Sequence, residues 1–176
     1  MYLRSMGQED VHQVTEIDRE AFPGQWPPPN YERELKNWLA HYIVASDEGR
    51  HYVMGFAGLW MLVDEAHITN IAVREKHRRQ GIGEALLIGI IELAIELGAK
   101  LITLEVRASN SEAQKLYAKY GFVRVGLRRG YYTDNREDAV LMSIEDIKSA
   151  KVRLERLKRA HSAEMKRLLT KADKSQ

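Results

Sequence analysis

Residues 66–106 read as strand, glycine turn, helix and strand, and this order limits the possible folds more than any other feature of the chain. Residues 65–73 are rich in β-branched positions, and Leu101-Ile102-Thr103-Leu104-Glu105-Val106 is a second short strand. Between them residues 85–97 are apolar at Leu86, Leu87, Ile90, Ile91, Leu93, Ala94 and Leu97. That surface is too broad for a helix lying half in water, so this helix is expected to be well buried, with Gly98 as its C-terminal stop. A helical crossover of this length joins two parallel strands.

The rest of the pattern is antiparallel. A short strand near residues 2–4 precedes a helix over 10–22, where Val11, Val14, Ile17 and Ala21 fall at helical spacing. All four prolines lie within residues 23–30, which fixes a stiff, extended loop and forbids helix there. A helix over 31–39 and strands over 42–45, 51–62 and 65–73 follow, with Asp47-Glu48-Gly49-Arg50 and Val63-Asp64 as the turns between strands. Ser109-Asn110-Ser111-Glu112 fits a capping box opening a helix that ends at Gly121, and residues 122–127 and 138–143 are the last strands. The expectation is one α+β domain over residues 1–147, with a mixed, mostly antiparallel sheet between helical layers.

Charge divides the chain at the same place. Residues 1–147 carry 17 Lys+Arg against 22 Asp+Glu, whereas residues 148–176 carry 10 against 3, so the basic character belongs to a C-terminal helical tail. In that tail Ile147, Ala150, Leu154, Leu157, His161, Glu164 and Leu168 follow a three-four spacing, too sparsely apolar for a coiled coil. One reading packs the Ile147 to Leu157 stripe on the domain. Another uses the +7 charge for phosphate contacts with RNA or a ribosomal particle, without sequence preference. The absence of cysteine excludes disulfides, thiolate metal sites and a cysteine nucleophile. The six histidines lack metal-ligand spacing, so no metal is expected. Met1 to Met6 show no leader pattern, and nowhere do about 18 apolar residues run together, so a cytoplasmic, membrane-free protein is expected.

Arg78-Arg79-Gln80-Gly81-Ile82-Gly83-Glu84-Ala85 stands directly after a strand and before the buried helix. Two glycines there let several backbone N–H groups converge at a helix N-terminus, where the dipole favours an anion such as a pyrophosphate. A tight strand-helix turn with surface arginines would leave the same trace. The segment lacks the Gly-Lys-Ser/Thr of a P-loop and the third glycine of a dinucleotide fingerprint. Glu105 sits between Leu104 and Val106, where a carboxylate is costly unless partnered or facing a cleft. Ser109 and Ser111 lack a His-acid pair and read as caps.

Arg78-x-x-Gly81-x-Gly83, together with Asn70-Ile71-Ala72-Val73, Leu104-Glu105-Val106-Arg107-Ala108-Ser109-Asn110, Leu116-Tyr117, Tyr120-Gly121-Phe122 and Arg128-Arg129-Gly130-Tyr131-Tyr132, resembles the GNAT superfamily of N-acetyltransferases. Within it the similarity is to the bacterial ribosomal-protein alanine N-acetyltransferase (RimI) group, over about residues 1–145 and most strongly over 66–142. The proline-rich loop and the tail depart from that pattern.

The resemblance implies the GNAT acyl-CoA N-acyltransferase fold, a three-layer α/β/α arrangement with one splayed parallel strand pair, and acetyl-CoA as co-substrate without a metal. It implies that the backbone of Ile71, Ala72 and Val73 binds the pantetheine arm, and that Arg78, Arg79, Gln80, Gly81, Ile82, Gly83 and Glu84 hold the pyrophosphate. It implies that Asn110 hydrogen-bonds the pantetheine, that Glu105 is the general base, and that Tyr117 donates a proton to the departing thiolate. The acetyl group would pass by direct attack in a ternary complex to a protein N-terminal amine, such as the alanine of a small-subunit ribosomal protein. Phe22, Trp26, Tyr131 and Tyr132 would wall the peptide groove. Acetylation of lysine or small amines, and non-catalytic acyl-CoA binding, are the other readings; a monomer or weak dimer is expected.

Overall fold

The computed structural model describes residues 1–25, 27–49 and 51–173, with side chains through residue 166. Its strands are β1 (Tyr2–Ser5), β2 (Ala40–Ser46), β3 (Val53–Leu62), β4 (Glu65–Val73), β5 (Leu101–Arg107), β6 (Val123–Arg128) and β7 (Ala139–Ile144). Its helices are α1 (Val11–Ala21), α2 (Tyr31–Glu34), α3 (Ile82–Glu96), α4 (Ser111–Lys119) and α5 (Ile147–Asp173). The seven strands form one sheet in the order β1-β2-β3-β4-β5-β7-β6, antiparallel at every step except β4 to β5. The crossover through α3 therefore makes the parallel pair, as its sequence pattern requires.

Alternation along the strands builds two cores. On β2, Tyr42 and Val44 point to one face with Phe56 of β3, where they meet Val14, Ile17 and Tyr31 from α1 and α2. Ile43 and Ala45 point to the other face, joining Leu59, Ile68, Ile102 and Leu104 against Leu86, Leu87, Ile90 and Ile91 of α3. The second face is also covered by Tyr120 and Phe122 after α4, and by Ala150 and Leu154 of α5. The result is the expected helix-sheet-helix layering. Among the described residues no helix is long and apolar enough to cross a membrane.

Two local expectations fail for identifiable reasons. The helix expected over 31–39 ends at Glu34, because Leu39 is already engaged by the sheet: its carbonyl accepts from the Met61 amide at 2.8 Å, and its amide donates to the Asn37 side chain at 3.1 Å. The cap of α4 is Asn110, whose Oδ1 accepts from the Ala113 amide at 3.1 Å, and not Ser109. The Ser109 amide is instead taken by Glu137 Oε1 at 2.8 Å, a long-range contact that no local capping rule contains.

Candidate active site

Pairing between β4 and β5 stops at Ile68 and Leu104. Thr69 is an extra residue in the β3–β4 ladder at that point, and such a bulge bends its strand and increases its twist. Beyond it Ile71, Ala72 and Val73 stay paired to β3, while Glu105, Val106 and Arg107 stay paired to β7. The parallel strands thus open as a V, leaving inner backbone groups of β4 that a ligand could satisfy.

Glu105 stands at the mouth of the V. Thr103 and Glu105 share one face of β5 by the two-residue period, and His67 of β4 lies opposite Thr103 in register. The His67 ring bridges them, with Nδ1 2.9 Å from Thr103 Oγ1 and Nε2 2.9 Å from Glu105 Oε2. A ring that accepts from the threonine hydroxyl at Nδ1 and donates from Nε2 to the carboxylate satisfies both contacts. Arg128 of β6 approaches the other oxygen, Oε1, at 3.4 Å. The Glu105 side chain is only 9% exposed, yet the hydrogen bond from His67 outweighs burial and, with the Arg128 charge, holds its carboxyl below the ordinary range. It is therefore ionised at neutral pH.

Around it lies a cleft of about 560 Å³ lined by Phe22, Ile71, Asn110, Tyr117, Tyr131 and Tyr132 as well as Glu105. Two loops flank it and press on each other. A Cβ on Gly24 would lie 2.3 Å from Asp134 Oδ2, so the close approach of the proline-rich loop to residues 131–137 requires a glycine at this position. Arg107 anchors the second loop, bonding Asp134 at 2.8 Å and Glu137 at 3.1 Å, with its guanidinium 3.9 Å from the centre of the Tyr132 ring. Tyr131 packs edge-on against Tyr132 at 5.2 Å. Tyr117 packs on Phe122, and its hydroxyl has no hydrogen-bond partner among the described residues. Burial pushes it up to about 12, so it keeps its proton. Asn110 spends its Oδ1 on the α4 cap and leaves its amide nitrogen for a ligand. Trp26 lies outside the described residues.

The second half of the site is the start of α3. Gly81 is left-handed, with φ of +79°, and as the N-cap residue it offers no side-chain hydrogen bond to the helix. The first intrahelical bond is made by the Ala85 amide, so those of Ile82, Gly83 and Glu84 have no acceptor within the helix. A Cβ on Gly83 would meet nothing nearer than Val73 Cγ2 at 3.7 Å, so protein packing does not require this glycine. The open space and the free amides fit the pyrophosphate of a coenzyme A thioester, which would supply the acetyl group. Arg78 and Arg79 are exposed, bonding the Val73 carbonyl and Glu112, and Gln80 bonds the Lys76 carbonyl. The Glu84 carboxylate turns away, accepting from Lys119 and Tyr120 at 2.6 Å each. Of Glu84, then, only the backbone faces the cradle. Gly83→Val is expected to keep the wild-type melting temperature and to weaken acetyl-CoA binding by about tenfold or more, since its side chain would occupy the anion's space. Calorimetric titration checks this, and wild-type affinity would place the cradle elsewhere.

Sequence reasoning passed over His67 and Arg128. The signal for His67 was present, since it belongs to the strand expected to run parallel to the one carrying Glu105. Which residues stand opposite each other depends on register, which no local pattern supplies.

The Acetyltransferase (GNAT) family pattern matches residues 11–122. A Bacillus subtilis (strain 168) protein, named provisionally as a ribosomal protein bS18-alanine N-acetyltransferase, is 42% identical over 141 residues, covering 80% of this chain and 92% of its own. An N-alpha-acetyltransferase of Sulfurisphaera tokodaii is 40% identical over 80% of this chain and 90% of its own. The crystal structure of the ribosomal-protein-S18-alanine N-acetyltransferase from Escherichia coli superposes with a TM-score of 0.71 at 32% identity, over 81% of this chain and 92% of that one. A splayed parallel pair with a carboxylate at its mouth and an uncapped glycine turn beside it thus occurs in a chain whose sequence and fold agree with these enzymes, and the chain belongs to the GNAT acetyltransferase family.

Proposed function

We propose that this protein transfers the acetyl group of acetyl-CoA to the N-terminal α-amine of a protein, with the N-terminal alanine of ribosomal protein bS18 as the substrate. The observation that carries the reading is the ionised Glu105, nearly buried between the V of β4 and β5 and an aromatic cleft. The amine would enter past Tyr131 and Tyr132 and attack the thioester carbonyl directly, with Glu105 accepting its proton, through a water if the distance requires one. Tyr117, neutral and without a hydrogen-bond partner among the described residues, would hydrogen-bond the departing sulfur. A thiol has a reference pKa of about 8.5, so a phenol held near 12 stabilises the thiolate by hydrogen bonding more than by giving up its proton.

The strength of the base favours an N-terminus over lysine. A carboxylate below its ordinary pKa is a weak base. An α-amine, with a reference pKa of about 7.7–8.0, is roughly a tenth neutral at pH 7; a lysine, at about 10.4, is neutral to well under a thousandth. Weak assistance suffices for the first and not for the second. The names of the relatives point the same way.

The test is a peptide panel incubated with acetyl-CoA and read by mass spectrometry. A peptide beginning with alanine and bearing an internal lysine is expected to gain one acetyl group on its α-nitrogen, and its N-terminally blocked counterpart none. Acetylation of the blocked peptide at lysine would overturn the reading.

A further inference from the structure

The tail helix α5 runs antiparallel to α3 and passes over the start of that helix. Lys158 pairs with Glu92, His161 Nδ1 stands 3.6 Å from Glu84 Oε2, and a Cβ on Gly81 would lie 2.7 Å from Met165 Sδ and 3.0 Å from His161 Cε1. Successive turns of α5 thus contact α3 progressively nearer its N-terminus, and the last described contacts fall on the left-handed glycine itself. The family pattern ends at residue 122, so α5 lies outside it.

The His161 side chain is only 9% exposed, and its Nε2 is buried without a hydrogen-bond partner among the described residues. Unpaired polar atoms at such burial are rare because they forgo water without replacing it. The unpaired edge faces the turn: the position a Gly81 Cβ would take lies 3.8 Å from Nε2. Glu84, fixed through Oε1 by Lys119 and Tyr120, presents Oε2 at 3.6 Å from Nδ1, and the Cε1–Nε2 edge of the ring is left over the start of α3. An N–H at Nε2 would stand beside a helix start whose first three amides have no acceptor within the helix.

We infer that α5 completes the diphosphate site, with His161 Nε2 donating to a phosphate oxygen held by the α3 amides. The inference rests on the acetyl-CoA reading above. The protein would then hold its coenzyme with a residue from the tail as well as with the glycine turn, and the tail would close the outer wall of that site.

The test compares full-length wild type, His161→Phe and His161→Gln by calorimetric titration with coenzyme A and with dephospho-coenzyme A, which keeps the diphosphate and lacks the 3′-phosphate. Phenylalanine preserves the packing on Gly81 and Met165 and removes both nitrogens; glutamine restores a donor. His161→Phe is expected to lose about tenfold or more in affinity, by the same factor for both ligands, as befits a lost charge-assisted hydrogen bond. His161→Gln should recover part of it, with melting temperatures near wild type for both variants. Wild-type affinity in His161→Phe, or a loss confined to coenzyme A, would overturn the inference and leave the acetyl-CoA reading standing. Failure of the wild type to bind either ligand would overturn both.

Discussion

Glu105→Gln is expected to lower kcat at pH 7 by about 10²-fold while leaving affinity for acetyl-CoA unchanged. Glutamine keeps the shape and its carbonyl can still accept from His67, but it cannot take the amine's proton. Arg128, whose side chain is 55% exposed, turns to solvent at little cost. Removing a general base typically costs about 10²–10⁴-fold, and the lower end applies because Glu105 is a weak base acting on an amine already partly neutral. The deficit should therefore shrink as pH rises through about 8, where the α-amine loses its proton unaided. Steady-state kinetics at several pH values with a fixed peptide check this. Unchanged turnover, or a deficit that does not vary with pH, would remove Glu105 from the role of base.

Truncation after Ser149 is expected to cost more in stability than any single change in the cleft. It removes Ala150 and Leu154, both part of the core beneath α3 and α4, with Leu154 only 3% exposed. Deleting a buried leucine side chain costs about 2–5 kcal/mol in comparable cores, a large share of the roughly 5–15 kcal/mol that holds a domain together. For a chain of this size each 1 kcal/mol lowers the melting temperature by about 2–4 °C, so a fall of about 10 °C is expected. Truncation after Ala160 keeps those contacts and should melt within about 2 °C of the full chain, while losing coenzyme affinity as His161→Phe does. Equal melting temperatures for all three chains would mean that α5 contributes nothing to the core.

The basic residues of the tail must be judged in this light. One side of α5 is committed to the sheet and to α3, while Lys151, Arg156 and Arg159 remain exposed on the other. RNA or ribosome contact through that outer face is compatible with the packing, but its test is charge reversal at those three positions. Removing the whole helix would confound it with unfolding.

The amino-acid sequence alone determines the features of this protein that depend on neighbours along the chain. The apolar breadth of residues 85–97 requires a buried helix, the strands on either side make the crossover parallel, and Gly81 and Gly83 leave helix amides uncapped at its start. Glu105 was conspicuous because a carboxylate in an apolar strand demands a reason. Only the tertiary structure decides what depends on register and on packing between distant elements. The bulge at Thr69 ends the β4–β5 pairing and creates the V; the parallel register brings His67 to Glu105; Glu137 takes the Ser109 amide and moves the α4 cap to Asn110. The antiparallel run of α5 along α3 sets His161 over Gly81, some 80 residues away in sequence. Local patterns carry no record of such meetings, because they are fixed by which surfaces the folded chain buries together and not by the spacing of residues within either segment.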